Sequence, residues 1–471
     1  MEAYKDILVN SVYLIASFLF IFGIKMLSSP TKARKGNIYS AVGMFLAIVV
    51  TLLNEHIISY QYIIAGIVIG SAIGSFIAIK VEMTAMPQMV GLLNGFGGGA
   101  SALVGLTEYL QTLDPSNTRV EVFSAKMAIT IALSLIIGGI TFTGSLVAFG
   151  KLQGIVSGNV IKFPLQHPLN LLLLVGVFGL LVVGVFYPTE QTLFLVILGV
   201  SLLLGILLVI PIGGADMPVA ISLLNSYSGI AASATGFVID NNMLIIAGAL
   251  VGASGIILTN IMCKAMNRSL LNVVMGGWGQ NAAAEAASGA KKEVNIKSID
   301  SEEAAMIFDA ASSVMIIPGY GMAVAQAQHA VKDLMDILNK KGCDVKFAIH
   351  PVAGRMPGHM NILLAESNVP YEKLYALEDI NEEFANTDIS LIIGANDVVN
   401  PAARNNPASP IYGMPILNAD HSKTVIIIKR SMAAGYAGID NELFYNQNTL
   451  MYFGDAKEAI GKLNNELKNL S

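Results

Sequence analysis

PGYGMAVAQAQ, residues Pro318–Gln328, is the stretch on which the reading of this chain turns. It follows a short apolar run, SVMII at 313–317, and opens a segment of helical character that reaches about Lys340 and ends near Gly342. The pattern predicts a strand, a tight glycine turn and a helix, which is the place where a nucleotide pyrophosphate binds. Gly319 is expected to allow the turn and Gly321 to let a phosphate approach the backbone, while the first free N–H groups of the helix face the anion. Val324 stands where a third glycine is often found. A glycine pattern alone is a weak signal, and the strand before it and the helix after it carry the reading.

Downstream, apolar and β-branched runs recur with helical stretches between them: VKFAIH (345–350), KLYAL (373–377), ISLIIGA (389–395), TVIIIKR (424–430) and LMYFGD (450–455). Alternating strands and helices imply a parallel sheet covered on both faces, of six strands, with its ligand across their carboxyl ends. An NAD site commonly ends its second strand with an acid that holds the ribose 2′-hydroxyl, but here the strand runs into His350-Pro351. A 2′-phosphate needs cations, and Lys429, Arg430 and Ser431 at the end of the fifth strand supply two and a hydroxyl. NADP is therefore favoured over NAD, although on the residues alone Lys429 and Arg430 also read as solvated strand-end charges. The loop 394–410 with Asp397, the loop 351–360 with Arg355 and His359, and GYAG (435–438) fall on the same rim.

Upstream, residues 276–295 are rich in Gly and Ala without hydrophobic periodicity and read as a linker, and Asp300 with Glu303 suggests a helix-capping pair before the first strand. Before the linker the chain changes character. Over all 471 residues only 13% are charged, against about 25% for an ordinary soluble domain. The mean hydropathy is +0.63. Through Leu270 there are 12 Lys/Arg and 10 Asp/Glu, and the remainder carries 16 and 23. A lipid-embedded half thus precedes a soluble, acidic one, whose charge argues against nucleic acid as a partner. Nine candidate spans are expected, near 7–27, 38–54, 60–80, 87–107, 125–149, 169–187, 192–211, 217–239 and 243–263. Lys and Arg concentrate on one side of them, which puts the N-terminus outside and the soluble half in the cytoplasm. The expected domains are a membrane part at 1–265, a linker at 266–300 and a Rossmann-like nucleotide domain at 301–471.

Polar groups at membrane depth are informative because burying one without a partner is costly. Asp216 lies in GGADMP at the mouth of the eighth span, as an N-cap or as a functional carboxylate. Asn225 sits two to three turns deeper and Asn94 in the fourth span, each as an interhelical hydrogen-bonding residue or as part of a proton or water path. Glycines in the fourth and ninth spans fit close helix packing, with Gly252 and Gly255 also placed to act as a hinge. Cys263 and Cys343 imply no disulfide framework, and the six histidines have no ligand-like spacing for a metal. That suits hydride transfer, where the cofactor carries the chemistry.

The chain resembles the β subunit of proton-translocating NAD(P)+ transhydrogenase along nearly its whole length. VEMTAMPQMV (81–90), TFTGSLVAFGKL (141–152), GGADMPVAISLLNSYSG (213–229), MCKAMNRS (262–269), PGYGMAVAQAQ, IHPVAGRMPGHMN (349–361), GANDVVNPAA (394–403) and KRSMAAGYAG (429–438) carry the resemblance. It implies an NADP(H)-binding domain on a membrane domain, working with an α subunit that binds NAD(H), in dimers of α–β units in a bacterial cytoplasmic membrane. It assigns Gly319, Tyr320, Gly321, Met322, Ala323 and Val324 to the pyrophosphate turn, and Lys429, Arg430 and Ser431 to the 2′-phosphate. It puts Arg355, Asp397 and Tyr436 around the nucleotide, with a part in coupling for Asp397, and sets Asp216 and Asn225 near the proton path. Some members have a histidine where this chain has Asn94, so a titratable group at that depth is expected from the α side. The function implied is hydride transfer from NADH on the partner to NADP+ here, driven by protons entering the cytoplasm. The alternative is a transporter or channel regulated by NADP(H) without a reaction of its own, although no TVGYG-type filter is present.

Overall fold

The computed structural model describes residues 2–27, 30–54, 60–114, 124–158, 160–274, 296–409, 411–432 and 439–470. The expected linker at 276–295 lies outside them. The chain forms two compact units, Met1–Pro211 with Ala220–Leu258, and Ile212–Val219 with Thr259–Ser471.

Nine long helices carry the N-terminal part: α1 (Glu2–Leu27), α2 (Pro30–Asn54), α3 (Tyr60–Lys80), α4 (Met86–Leu113), α5 (Ala125–Gln153), α6 (Gln166–Phe186), α7 (Gln191–Val209), α8 (Met217–Val238) and α9 (Asn242–Ala265). Among the described residues, eight of them are long and apolar enough to cross a membrane. The exception is α8, expected as the eighth span, in which Ser222, Asn225, Ser226, Tyr227 and Ser228 dilute the apolar character. Helix α5 starts where the Ser124 side chain accepts the Met127 N–H at 3.2 Å and stops at Gly154, whose φ of 79° suits a residue without Cβ. Small residues let α4 and α5 approach closely: a Cβ on Gly138 would lie 2.6 Å from the Gly98 carbonyl oxygen. Hydroxyls then satisfy one another between helices, as when Ser134 Oγ donates to the Ser101 carbonyl at 2.8 Å and meets Thr235 Oγ1 at 2.6 Å.

The second unit holds six parallel strands: β1 (Ser313–Pro318), β2 (Asp344–Ile349), β3 (Leu374–Ala376), β4 (Ile389–Ile393), β5 (Thr424–Lys429) and β6 (Thr449–Phe453). Their order is β3-β2-β1-β4-β5-β6, a doubly wound sheet whose direction of winding reverses between β1 and β4. β1 and β4 are almost wholly buried, which explains why their sequences read as unbroken apolar runs rather than alternating ones. The expected capping pair is present: the Asp300 carboxylate accepts the Glu303 N–H at 2.9 Å, and Glu303 accepts the Asp300 N–H at 3.2 Å.

One element departs from expectation. The helix after the glycine turn is not continuous to Lys340. It ends after Tyr320–Val324, Gln326 takes a left-handed φ of 49°, and a second helix runs over Gln328–Lys340. The Ala327 N–H reaches back to the Met322 carbonyl at 3.0 Å, a helix-ending pattern that no glycine or proline announces in the sequence.

Candidate functional site

At the carboxyl ends of β1, β4 and β5 lies a cavity of about 420 Å³. Its walls include Gly319, Tyr320, Gly321 and Val324 of the turn, Asp397 after β4, and Lys429 at the end of β5 with Arg430 and Ser431 beyond it. Met322 and Ala323 do not line it, because both point into the core and are buried. Arg355 stands over the Tyr320 ring, with Cζ 4.2 Å from the ring centroid, so it braces the turn through a cation–π contact. Tyr436 lies outside the described residues.

The glycines also have a packing role that the sequence did not announce. The Gly319 N–H donates to the Ile393 carbonyl at 2.9 Å, and the Gly321 N–H to the Gly394 carbonyl at 3.0 Å. A Cβ on Gly321 would lie 2.6 Å from Gly394 Cα, and one on Gly319 2.5 Å from Ala395 Cα. The room left by the missing side chains is therefore filled by the backbone after β4, and the turn is locked onto that strand end. Gly394 itself has a φ of 62°. Gly321 thus both lines the cavity and packs on the backbone beyond β4, a contact whose signal in the sequence was the glycine of GANDVV.

Lys429 is half-buried with Nζ 4.4 Å from the Phe444 ring centroid. Burial pushes its ammonium below the usual range, and Asp397 and Asp440 oppose that shift. A cation that has lost part of its hydration is primed to take an anion. Arg268 and Met266, just past α9, also line the cavity. Arg268 Nη1 donates to the Asp216 carboxylate at 2.5 Å, so Asp216 is ion-paired rather than acting as a simple cap. Burial raises the Asp216 carboxyl and the Arg268 guanidinium draws it back. Arg268 was not singled out in the sequence, because nothing in the spacing pairs two residues 52 positions apart. In α4, Asn94 Nδ2 donates to Ser145 Oγ at 2.9 Å, and the Asn94 carbonyl accepts Ser228 Oγ at 3.1 Å. Asn225 is exposed on α8.

His350, found where a ribose-binding acid is common, does not face the cavity. Its Nε2 meets the Pro415 carbonyl at 2.8 Å and its Nδ1 accepts the Val352 N–H at 3.2 Å, so the neutral ring pins two loops together. His359 Nδ1 likewise accepts the Arg355 N–H at 3.1 Å. Burial pushes both rings down to about 4. Each therefore binds a proton in the unfolded chain, below about 6.5, before it does so in the fold. Stability is fully present above that value and is lost as pH falls toward 4, by about 2 kcal/mol per ring at pH 5. Thermal unfolding of the detergent-solubilised chain is expected to show a lower Tm at pH 5 than at pH 7.5, and His359→Asn to remove about half of the difference. Equal Tm values at the two pH values would refute the assignment.

A doubly wound sheet with a cavity at its winding reversal, in a chain whose described residues include eight helices long and apolar enough to cross a membrane, is the architecture of a membrane protein with a nucleotide-binding type of domain. The family model for NAD(P) transhydrogenase beta subunit matches residues 9–466. The chain is similar to two relatives from Rhodospirillum rubrum, one recorded for the species and one for a strain of it, both called NAD(P) transhydrogenase subunit beta. Each is 51% identical over 457 residues, covering 97% of this chain and 98% of the relative. The chain belongs to the NAD(P) transhydrogenase beta subunit family, and so to an oxidoreductase that uses nicotinamide nucleotides and has an alpha subunit as partner. The reading as a regulated channel without a reaction is set aside.

Proposed function

We propose that this chain holds NADP(H) in the cavity at the β1/β4 reversal and exchanges hydride directly with NAD(H) on the α subunit. In the direction from NADH to NADP+, protons enter the cytoplasm. The observation that carries the reading is the convergence of Lys429, Arg430 and Ser431 with the glycine-locked turn in one cavity. Two cations and a hydroxyl suit the dianionic 2′-phosphate that distinguishes NADP from NAD. The turn at Gly319–Val324 takes the pyrophosphate, Asp397 flanks the nucleotide, Arg355 reaches it from its place over the Tyr320 ring, and Val398, Ile411 and Met414 give it apolar walls. Tyr436, outside the described residues, is assigned to the nucleotide by the same reading. The nicotinamide supplies and accepts the hydride, and the protein binds, orients and excludes water.

A proton gradient drives this reaction only if protonation changes the relative binding of NADP+ and NADPH, a coupling between two sites. Arg268 supports such a link, since it lines the cavity and holds the Asp216 carboxylate. Protonating Asp216 releases Arg268, which alters the charge the nucleotide meets. Asn225, a polar group exposed on α8, contributes a hydrogen-bonding station to the path. Asn94 does not titrate, so a titratable group at its depth comes from the α subunit. The chain works as residues 1–265 in the membrane, a linker at 266–300 and the nucleotide domain at 301–471, with the N-terminus outside and the nucleotide domain in the cytoplasm of a bacterium. Two α–β units form the assembly.

In proteoliposomes of the αβ enzyme, Asp216→Asn and Asn225→Ala are each expected to lower proton pumping about tenfold or more, by removal of a charge or of a polar group at membrane depth. Undiminished pumping in both variants would remove these residues from the path.

A further inference from the structure

Two loops rise beside the cavity, one after β4 and one at 439–445 that follows the cationic segment of β5. Two asparagines with no solvent exposure, Asn400 and Asn441, join them. Asn400 Nδ2 donates to the Asp440 carbonyl at 3.0 Å, while its Oδ1 accepts the Ala402 N–H at 3.1 Å. Asn441 makes the reverse connection: Nδ2 donates to the Asn396 carbonyl at 2.9 Å and to Asn396 Oδ1 at 3.2 Å. The Leu443 N–H, donating to Asn441 Oδ1 at 3.0 Å, settles which end of that amide faces Asn396.

The direction of the Asn441 amide then dictates that of the next one. Asn396 Oδ1 is turned toward Asn441, so Asn396 Nδ2 faces the other way and donates to Asp397 Oδ1 at 3.4 Å. Asn396 and Asp397 both line the cavity, and Asp397 is close enough to Lys429 to raise its affinity for protons. A chain of amides therefore runs from the loop downstream of Lys429–Ser431 to the carboxylate across the cavity. Polar residues this deeply buried are costly unless fully paired, and all donors and acceptors that fix the direction are in place.

We infer that Asn441 is a positioning residue for the nucleotide site: through Asn396 it holds the Asp397 carboxylate in place against Lys429, so that the two loops present their charges as one unit. The inference rests on the reading that this cavity holds NADP(H). It identifies a residue that touches no ligand and sits in a loop that no motif marks.

The test is NADPH affinity of the purified αβ enzyme, in wild-type and Asp397→Asn backgrounds. Asn441→Ala is expected to weaken NADPH about tenfold in the wild-type background. In the Asp397→Asn background the same change is expected to matter less than about twofold, because the carboxylate it positions is gone. Asn441→Asp, which places an acceptor against two oxygens, is expected to lose more than Asn441→Ala. Should Asn441→Ala fail to fold, Asn396→Ala reads the same link, with about a fivefold loss that vanishes beside Asp397→Asn. Unchanged affinity, or an equal loss in both backgrounds, overturns the inference and leaves a structural tie. Failure of the wild type itself to bind NADPH would instead overturn the reading of the cavity.

Discussion

Replacing Arg430 by alanine is expected to weaken NADPH binding by tenfold to a hundredfold while leaving NADH binding within about twofold. The guanidinium sits exposed at the cavity rim, beside the half-buried ammonium of Lys429. A charge-assisted hydrogen bond to phosphate contributes about 1.5–3 kcal/mol, and each 1.4 kcal/mol is roughly a factor of ten. NADH lacks the 2′-phosphate, so it has nothing to lose at this position. Lys429→Ala follows a different course. It takes away a cation that interacts with Asp397 and uncovers Phe444, so part of its loss extends to any nucleotide. Binding titrations with both nucleotides check the prediction, and equal losses of NADPH and NADH in Arg430→Ala would sink the 2′-phosphate assignment.

The second large effect is structural. Gly394→Ala is expected to abolish nucleotide binding and to lower the stability of the sheet unit by about 3–4 kcal/mol, the sum of a left-handed backbone cost and overpacking. At its φ of 62° a Cβ would lie 2.7 Å from the Gly321 backbone nitrogen. Only backbone lies in that direction, so no side chain can swing aside and the turn must separate from β4. Gly342→Ala makes the matched control: its φ is 84° with nothing within 4 Å of the added Cβ. It pays only the backbone cost of about 1 kcal/mol and keeps binding. Thermal unfolding with NADPH titration distinguishes the two, and near-wild-type NADPH affinity in Gly394→Ala would contradict the interlocking turn.

These two cases mark how far the amino-acid sequence could be read unaided. All six strands were legible: β1, β4 and β5, buried in the sheet, leave apolar runs that differ from the helices between them, whereas the edge strand β3 was marked only by the short run KLYAL. Eight of the helices declared themselves by hydropathy, and α8 stood out by its polar residues. The cations of the cavity were visible as a cluster at a strand end. What stayed hidden was which atoms of distant segments meet. Nothing in the glycine turn announced that Gly321 packs on Gly394. Asp216 read as an N-cap or a functional carboxylate, and its ion pair with Arg268 was not visible. The break at Gln326 follows from local hydrogen bonding without a glycine or proline to announce it. Asn441 lay beyond any pattern, since its meaning depends on which carbonyl its amide faces.

The central claim is that NADP(H) bound to this chain takes part in direct hydride transfer with a nucleotide on the α subunit. Reduced NAD deuterated at C4 of the nicotinamide, mixed with NADP+ and the reconstituted αβ enzyme, tests it. The account predicts that the deuterium appears in NADPH with none lost to solvent, and that Arg430→Ala requires far more NADP+ for the same rate. Deuterium in water, or no labelled NADPH at all, would contradict it.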